Sequence, residues 1–128
     1  MVQPLVNANR LKQITQFVED DELQGFKLWG VTRLEMVTLR FNYNMNLLQL
    51  VCFEEATKIL KYMTQVLDGD DETKIQMSKH RDAHMGSQAI HLAATTGNRQ
   101  IIETVLQAYY ADMHETTLGR QTVHHCAA

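Results

Sequence analysis

Between residues 98 and 109 the apolar side chains fall at Ile101, Ile102, Val105, Leu106 and Ala108, the 3.6-residue spacing of an amphipathic helix. Ahead of them, Ala89 to Thr95 places Ile90, Ala93 and Ala94 on one face of a shorter helix. Ala93 and Ala94 are small enough to let a neighbouring helix approach closely. Gly97 lies between the two, where a helix commonly ends in a left-handed residue. A turn at Gly86 opens the unit, which occupies 83–115.

The same pattern begins again downstream. Gly86 and Gly119, Gln88 and Gln121, Ile90 and Val123, His91 and His124, and Ala94 and Ala127 all stand 33 residues apart. Self-similarity at such a period predicts stacked helical units, with 116–128 the start of a further, truncated unit. The stack thus stops in mid-unit at Ala128 without a polar closing helix, as expected of a piece of a longer protein. Leu48 to Cys52 aligns with Ile90 to Ala94, and Ile59-Leu60 with Ile101-Ile102, at a shift of 42, which defines a divergent unit over 44–82. The nine additional residues are expected in Asp68 to Asp82, read as a polar surface loop, because surface insertions cost little stability. Upstream, Leu11, Ile14, Phe17 and Val18 mark an amphipathic helix before the acidic run Glu19 to Glu22, read as the second helix of an incomplete first unit. Val37, Leu39 and Phe41 then alternate with Thr38, Arg40 and Asn42, which predicts an extended or hairpin segment, with Phe26, Leu28 and Trp29 anchoring it over the end of the core. Residues 1–43 form a capping region on this reading.

The run Gly86-x-Gln88-Ala89-Ile90-His91-Leu92-Ala93-Ala94-x-x-Gly97-Asn98-x-x-Ile101-Ile102-x-x-Val105-Leu106 resembles an ankyrin repeat, whose pattern is Gly-x-Thr-Pro-Leu-His-Leu-Ala-Ala, then Gly-His, Ile-Val and Leu-Leu. The chain departs from that pattern at Gln88 and Gln121 (threonine in the family), Ala89 and Thr122 (proline), Tyr109 (glycine) and Thr116 (aspartate). In the 44–82 unit, Gln49 and Glu55 take the places of the histidine and the inter-helix glycine. The resemblance implies an all-α, ankyrin-type helical solenoid of about two to three repeats with an irregular amino-terminal cap. It also implies that His91 and His124 hydrogen-bond to backbone between repeats.

Composition removes several alternatives. In 128 residues, 45% hydrophobic content allows a core, and a net charge of −3 with mixed signs offers no footprint for nucleic acid. No apolar run reaches the roughly 20 residues of a membrane span, and the amino terminus has no secretory pattern. Cys52 and Cys126 therefore read as buried reduced thiols of an intracellular, cytoplasmic protein.

Candidate chemistry is sparse. His124 and His125 are adjacent on a helix and cannot share a metal-binding face as an i, i+4 pair would. Counted from Asp68, the calcium-loop positions that need glycine and glutamate hold Thr73 and Lys79. Neither cysteine has an activating neighbour and no phosphate-cradling glycine loop occurs, so neither catalysis nor a cofactor is expected. Function is expected in a surface for protein partners, within a scaffolding module. The alternatives are a regulatory region of an enzyme or channel whose working domain lies downstream, and an architectural subunit of a large assembly. The resemblance puts partner contacts at the hairpin tip Met113, His114, Glu115, Thr116, Thr117 and Leu118, and at the concave positions Ser87, Thr95, Thr96 and Arg120, with Phe53 and Glu54 in the earlier unit. Met113, Leu118 and Tyr110 read either as interface anchors or as packing within the hairpin.

Overall fold

The computed structural model describes residues 4–114. Within them the chain is all-α: α1 (Pro4–Glu19), α2 (Leu23–Leu28), α3 (Arg33–Thr38), α4 (Leu47–Phe53), α5 (Thr57–Val66), α6 (Asp71–Lys79), α7 (Ala89–Thr96) and α8 (Arg99–Ala108), with a 3-10 turn at Asn42–Asn44. The helices α1, α4 and α7 pack side by side in one row, and α2, α5 and α8 in a second. Each member of the first row also packs on its successor in the second, giving the pairs α1–α2, α4–α5 and α7–α8.

The core lies between the rows. Ile14 and Val18 from α1, Leu48, Val51 and Cys52 from α4, and Ile90, Ala93 and Ala94 from α7 are all buried. From the second row come Phe26, Ile59, Met63, Ile101 and Val105. On α8 it is Ile101 and Val105 that are fully covered, while Ile102 and Leu106 are partly buried at the margin. Tyr109 is fully buried after α8, and its hydroxyl lies 3.1 Å from Thr64 Oγ1 of α5, so the second row is tied by a polar contact inside its apolar seam. Burial pushes the Cys52 thiol well above the usual range, and the side chain acts there as a small hydrophobe.

Four expectations are corrected. First, α1 is a first-row helix, because it packs on α4, and α2 supplies the second-row partner. The 34-residue shifts that relate Ile14 to Leu48 and Val18 to Cys52 carry this register. Gly25 makes the α1–α2 pairing possible, since a Cβ there would collide with the Phe17 ring. Second, the segment expected to be extended is broken up: Val37 and Thr38 close α3 and Asn42 begins the 3-10 turn, with extended backbone at Leu39 and Phe41 between them. Third, Phe26 is buried as expected, but Leu28 is 85% exposed and anchors nothing. Trp29 stays at the surface, edge-on to Phe17 and under the Arg10 guanidinium. Arg10 grips the Glu35 carboxylate through Nε at 2.5 Å and Nη2 at 2.8 Å, and this tie between α1 and α3 holds Glu35 below the usual carboxylate range.

Fourth, the expected polar loop contains a helix. Asp70 caps it by accepting the Thr73 N–H at 3.2 Å, acidic Asp71 and Glu72 occupy the first turn, and Lys79 the last. That charge order suits the helix dipole. α6 packs on α3 and α7 and buries Met77 and Ser78, so it belongs to the core.

The carboxyl end of α6 has carbonyls with no partner inside the helix, as every helix does. Side-chain amides from the first row satisfy them: Asn46 Nδ2 donates to Met77 O (2.9 Å), Gln49 Nε2 to His80 O (3.1 Å) and Gln88 Nε2 to Lys79 O (3.4 Å). Gln49 also donates to Ser87 O at 2.8 Å, in the turn that leads to α7. Its Oε1 accepts the Asn46 N–H (2.8 Å) while Asn46 Oδ1 accepts the Gln49 N–H (2.9 Å), closing a capping box at the start of α4. In the 44–82 unit, where Gln49 stands in the histidine's place, Gln49 makes the tie to the neighbouring unit. His91 Nδ1 accepts the Gln88 N–H at 3.0 Å, closing the capping box of α7. His124 lies outside the described residues.

The pairs also share a backbone signature. Asp21, Glu55 and Gly97, at shifts of 34 and 42, sit between the two helices of their pairs with φ of 48°, 56° and 71°. Only glycine adopts this conformation without strain. Asp21 offsets the cost by reaching forward: its carboxylate accepts the N–H groups of Lys58 and Ile59, both at 3.1 Å, capping α5, whose own N-cap Ala56 has no side chain to do so.

Two outcomes check this account. Gln49→Leu keeps the volume but strands the Asn46 N–H and the His80 carbonyl and leaves the Ser87 carbonyl with only the Asp82 N–H, so chemical denaturation is expected to show a loss of about 3 kcal/mol; a loss below about 1 kcal/mol would mean that water takes over those bonds. Glu55→Gly is expected to gain about 0.5–1 kcal/mol, and Gly97→Ala to lose about 1 kcal/mol, in the same assay.

Candidate functional site

The first-row helices and the loops that precede them enclose a groove of about 320 Å³. One wall comes from α1 with Thr15 and Glu19, and the floor from Leu50 and Phe53 of α4 and Leu92 of α7. The opposite wall is the pair of loops carrying Phe41 to Tyr43 and Asp82 to His84. Local geometry fixes these loops. Tyr43 and Asn44 both have left-handed φ (59° and 57°), held by the Ala83 N–H donating to Tyr43 O at 2.6 Å and by His80 Nε2 lying 2.8 Å from Asn44 O. Asp82 Oδ1 accepts three backbone N–H groups, from His84, Met85 and Ser87, each at 3.1 Å. Arg81 Nη1 donates to Gly86 O at 2.6 Å. The Tyr43 and His84 rings, 5.4 Å between centroids, therefore stand on anchored backbone.

Two properties define the groove. Its apolar lining includes residues left in water, with Phe53 55% and Tyr43 65% exposed. Such aromatic side chains at a concave face are the usual composition of an interface centre. The second property is charge. Glu19, Glu54 and Asp82 line the groove with no lysine or arginine among its walls. Glu54 is held above the usual carboxylate range, first by partial burial and then by the nearby negative charge of Glu19. At the amino-terminal end the groove runs on, past Thr15, Glu19, Phe41 and Asn42, into a shallower depression lined by Lys12 and Arg40. The negative potential is therefore confined to the middle. The opposite face of the stack carries Lys27, Lys58 and Lys61 around Tyr62, with Lys27 Nζ 5.2 Å from the Tyr62 ring centroid.

The residues expected to meet partners divide sharply. Ser87 is withdrawn from the surface: it is buried, its N–H is bound by Asp82 and its carbonyl by Gln49. Thr95 is exposed and Thr96 partly so, in the register of Phe53 and Glu54, but their hydroxyls are turned back onto the His91 and Ala93 carbonyls. Met113 and His114 are exposed beyond α8, where Asp112 Oδ1 accepts the His114 N–H at 2.8 Å. Tyr110 is 52% exposed and donates its hydroxyl to Asp71 Oδ1 at 3.0 Å, a tie to α6. Glu115, Thr116, Thr117, Leu118 and Arg120 lie outside the described residues. Phe53 and Glu54, the concave positions of the earlier unit, are brought together with Glu19 and Tyr43, which sequence reasoning did not assign to the surface. The 34-residue register that puts Glu19 beside this pair was the available signal.

Among the described residues, no group of three histidine, cysteine, aspartate or glutamate side chains is gathered in metal-binding geometry. No described helix is long and apolar enough to cross a membrane. Compared with known proteins, the chain matches no family model and no curated protein.

Crowding two carboxylates costs stability at neutral pH. The folded-state pKa of Glu54 is raised, so ionisation is less favourable in the folded chain, and the penalty is present above that pKa and absent where the group is protonated in both states. Glu54→Gln is accordingly expected to raise the melting temperature at pH 7, with the gain shrinking to nothing as pH falls below the carboxylate range. A variant that melts lower at pH 7 would show that Glu54 has a stabilising partner.

Proposed function

We propose that the chain is an ankyrin-type stack of helix pairs that serves as a protein–protein recognition and scaffolding module, without catalysis of its own. The observation that carries this reading is the anchored concave groove, in which Phe53 and Tyr43 stay in water beside Leu50 and Leu92. An apolar patch exposed on a rigid concave wall is costly to keep unless something covers it. Two features support the ankyrin-type assignment: the two-row arrangement of pairs, and the left-handed residue that recurs between the helices of each pair. Stacked repeats use this kind of concave surface for partners. The reading places the protein inside the cell, consistent with a free, buried Cys52.

A photo-crosslinking residue placed at Phe53 in the protein expressed in its native source is expected to capture discrete protein adducts. The same residue at Lys61, on the opposite face, is expected to capture few or none. Equal labelling from both positions, or no adduct from Phe53, would overturn the assignment of the groove as the recognition surface.

A further inference from the structure

The groove is not neutral ground for any peptide. Its walls gather three carboxylates and no fixed positive charge, and two of those carboxylates, Glu19 and Glu54, accept no hydrogen bond and form no ion pair among the described residues. The third, Asp82, is occupied by backbone N–H groups through Oδ1. Glu19 projects from the end of α1 and Glu54 from the end of α4, so the two close on the groove from adjacent helices of the first row. Beside them stand an exposed benzyl ring at Phe53 and an exposed phenol at Tyr43.

Resting on the recognition reading, we infer that the groove takes an extended segment of a partner protein through a lysine or arginine side chain, its aliphatic stem along Phe53 and Tyr43 and its cation between Glu19 and Glu54. The chemistry of both ends of that side chain is matched. A cationic side chain commonly buries its methylenes on apolar or aromatic surface while keeping the charged head in a polar site. Over an aromatic face the cation gains a further attraction. The like-charge repulsion between Glu19 and Glu54 is relieved when a cation arrives, so part of the stability lost in the free protein returns on binding. Neither a phosphorylated nor an acidic segment fits, because each would add charge of the same sign. Lys12 and Arg40 at the groove's amino-terminal end limit the cation to the middle, so a uniformly basic segment is disfavoured and a single basic residue among neutral ones is preferred.

Selection of a random linear peptide library on the whole chain tests this. Enriched peptides are expected to share a lysine or arginine at one position with aliphatic neighbours. They should bind the Glu19→Gln/Glu54→Gln variant at least about tenfold more weakly, the loss typical of a desolvated charge pair. A control variant, Glu72→Gln/Glu103→Gln, removes the same net charge elsewhere and is expected to bind them as the unmodified chain does. Enriched peptides without a shared basic residue, or an equal loss in the control variant, would overturn the charge inference. If such peptides still lose affinity on Phe53→Ala, the recognition reading stands without it. Selection that yields no peptide sensitive to Phe53→Ala overturns both.

Discussion

The arrangement depends on one constraint: the carbonyls at the end of α6 and in the turn before α7 cannot be left without donors. The bonds to Met77 O and Ser87 O are buried and those to Lys79 O and His80 O part-buried, and an unmet buried carbonyl costs on the order of 1–3 kcal/mol. Asn46, Gln49 and Gln88, all buried, supply the donors. Each sits at the first turn of a first-row helix, so a single set of side chains both starts the helices and positions α6 against them. Gln49 is the centre of the set, since its amide spends both N–H groups on carbonyls and its oxygen on the cap of its own helix. No apolar residue of similar volume could hold α4, α6 and the Ser87 turn at once.

That polar centre explains why the loops opposite can be rigid. The Asp82 turn is pinned from below by Gln49 on Ser87 O and from within by its own carboxylate. The Tyr43 turn is pinned to it through Ala83 and His80. A groove wall made of loops is ordinarily the mobile part of a protein. Here the backbone hydrogen bonds run from the buried amides out to the rim, so on the proposed reading a partner would meet aromatic rings with little left to order, which lowers the entropic cost of binding.

The helix pairs were legible wherever apolar periodicity ran unbroken. α7, Gly97 and α8 follow from the 33-residue unit, and α4 and α5 from the 42-residue shift. α6 was not, because its acidic first turn reads equally as a solvated loop, and only the N-cap Asp70 followed by Asp71, Glu72 and a closing Lys79 marks a helix by its charge order. The role of α1 was misjudged because the left-handed link at Asp21 is not a glycine, so the amino-terminal pair lacks the punctuation that exposes the others. The site was half visible: Phe53 and Glu54 share the register of Thr95 and Thr96, and Glu19 that of Phe53 at the 34-residue shift, whereas Tyr43 reaches the groove by tertiary placement alone. Ser87 illustrates the converse limit, since a small polar residue beside a turn reads as surface until the burial of its backbone is known.

The concave face is also where stability and local preference disagree. The left-handed residues of the helix links have partners nearby: Asp21 caps α5, and the Glu55 carboxylate accepts from Asn98 Nδ2 at 3.3 Å. Glu54 and Glu19 have no such partner, being alike in charge, adjacent and without a hydrogen-bond donor among the described residues. A glutamine at either position would remove the repulsion and keep the size. Residues that a fold holds against its own stability mark the places where something outside the chain completes the balance. On the proposed reading the missing contribution in this groove has a definite sign, since a positive charge relieves the pair, and the exposed rings of Phe53 and Tyr43 beside it offer apolar surface to the stem that carries it.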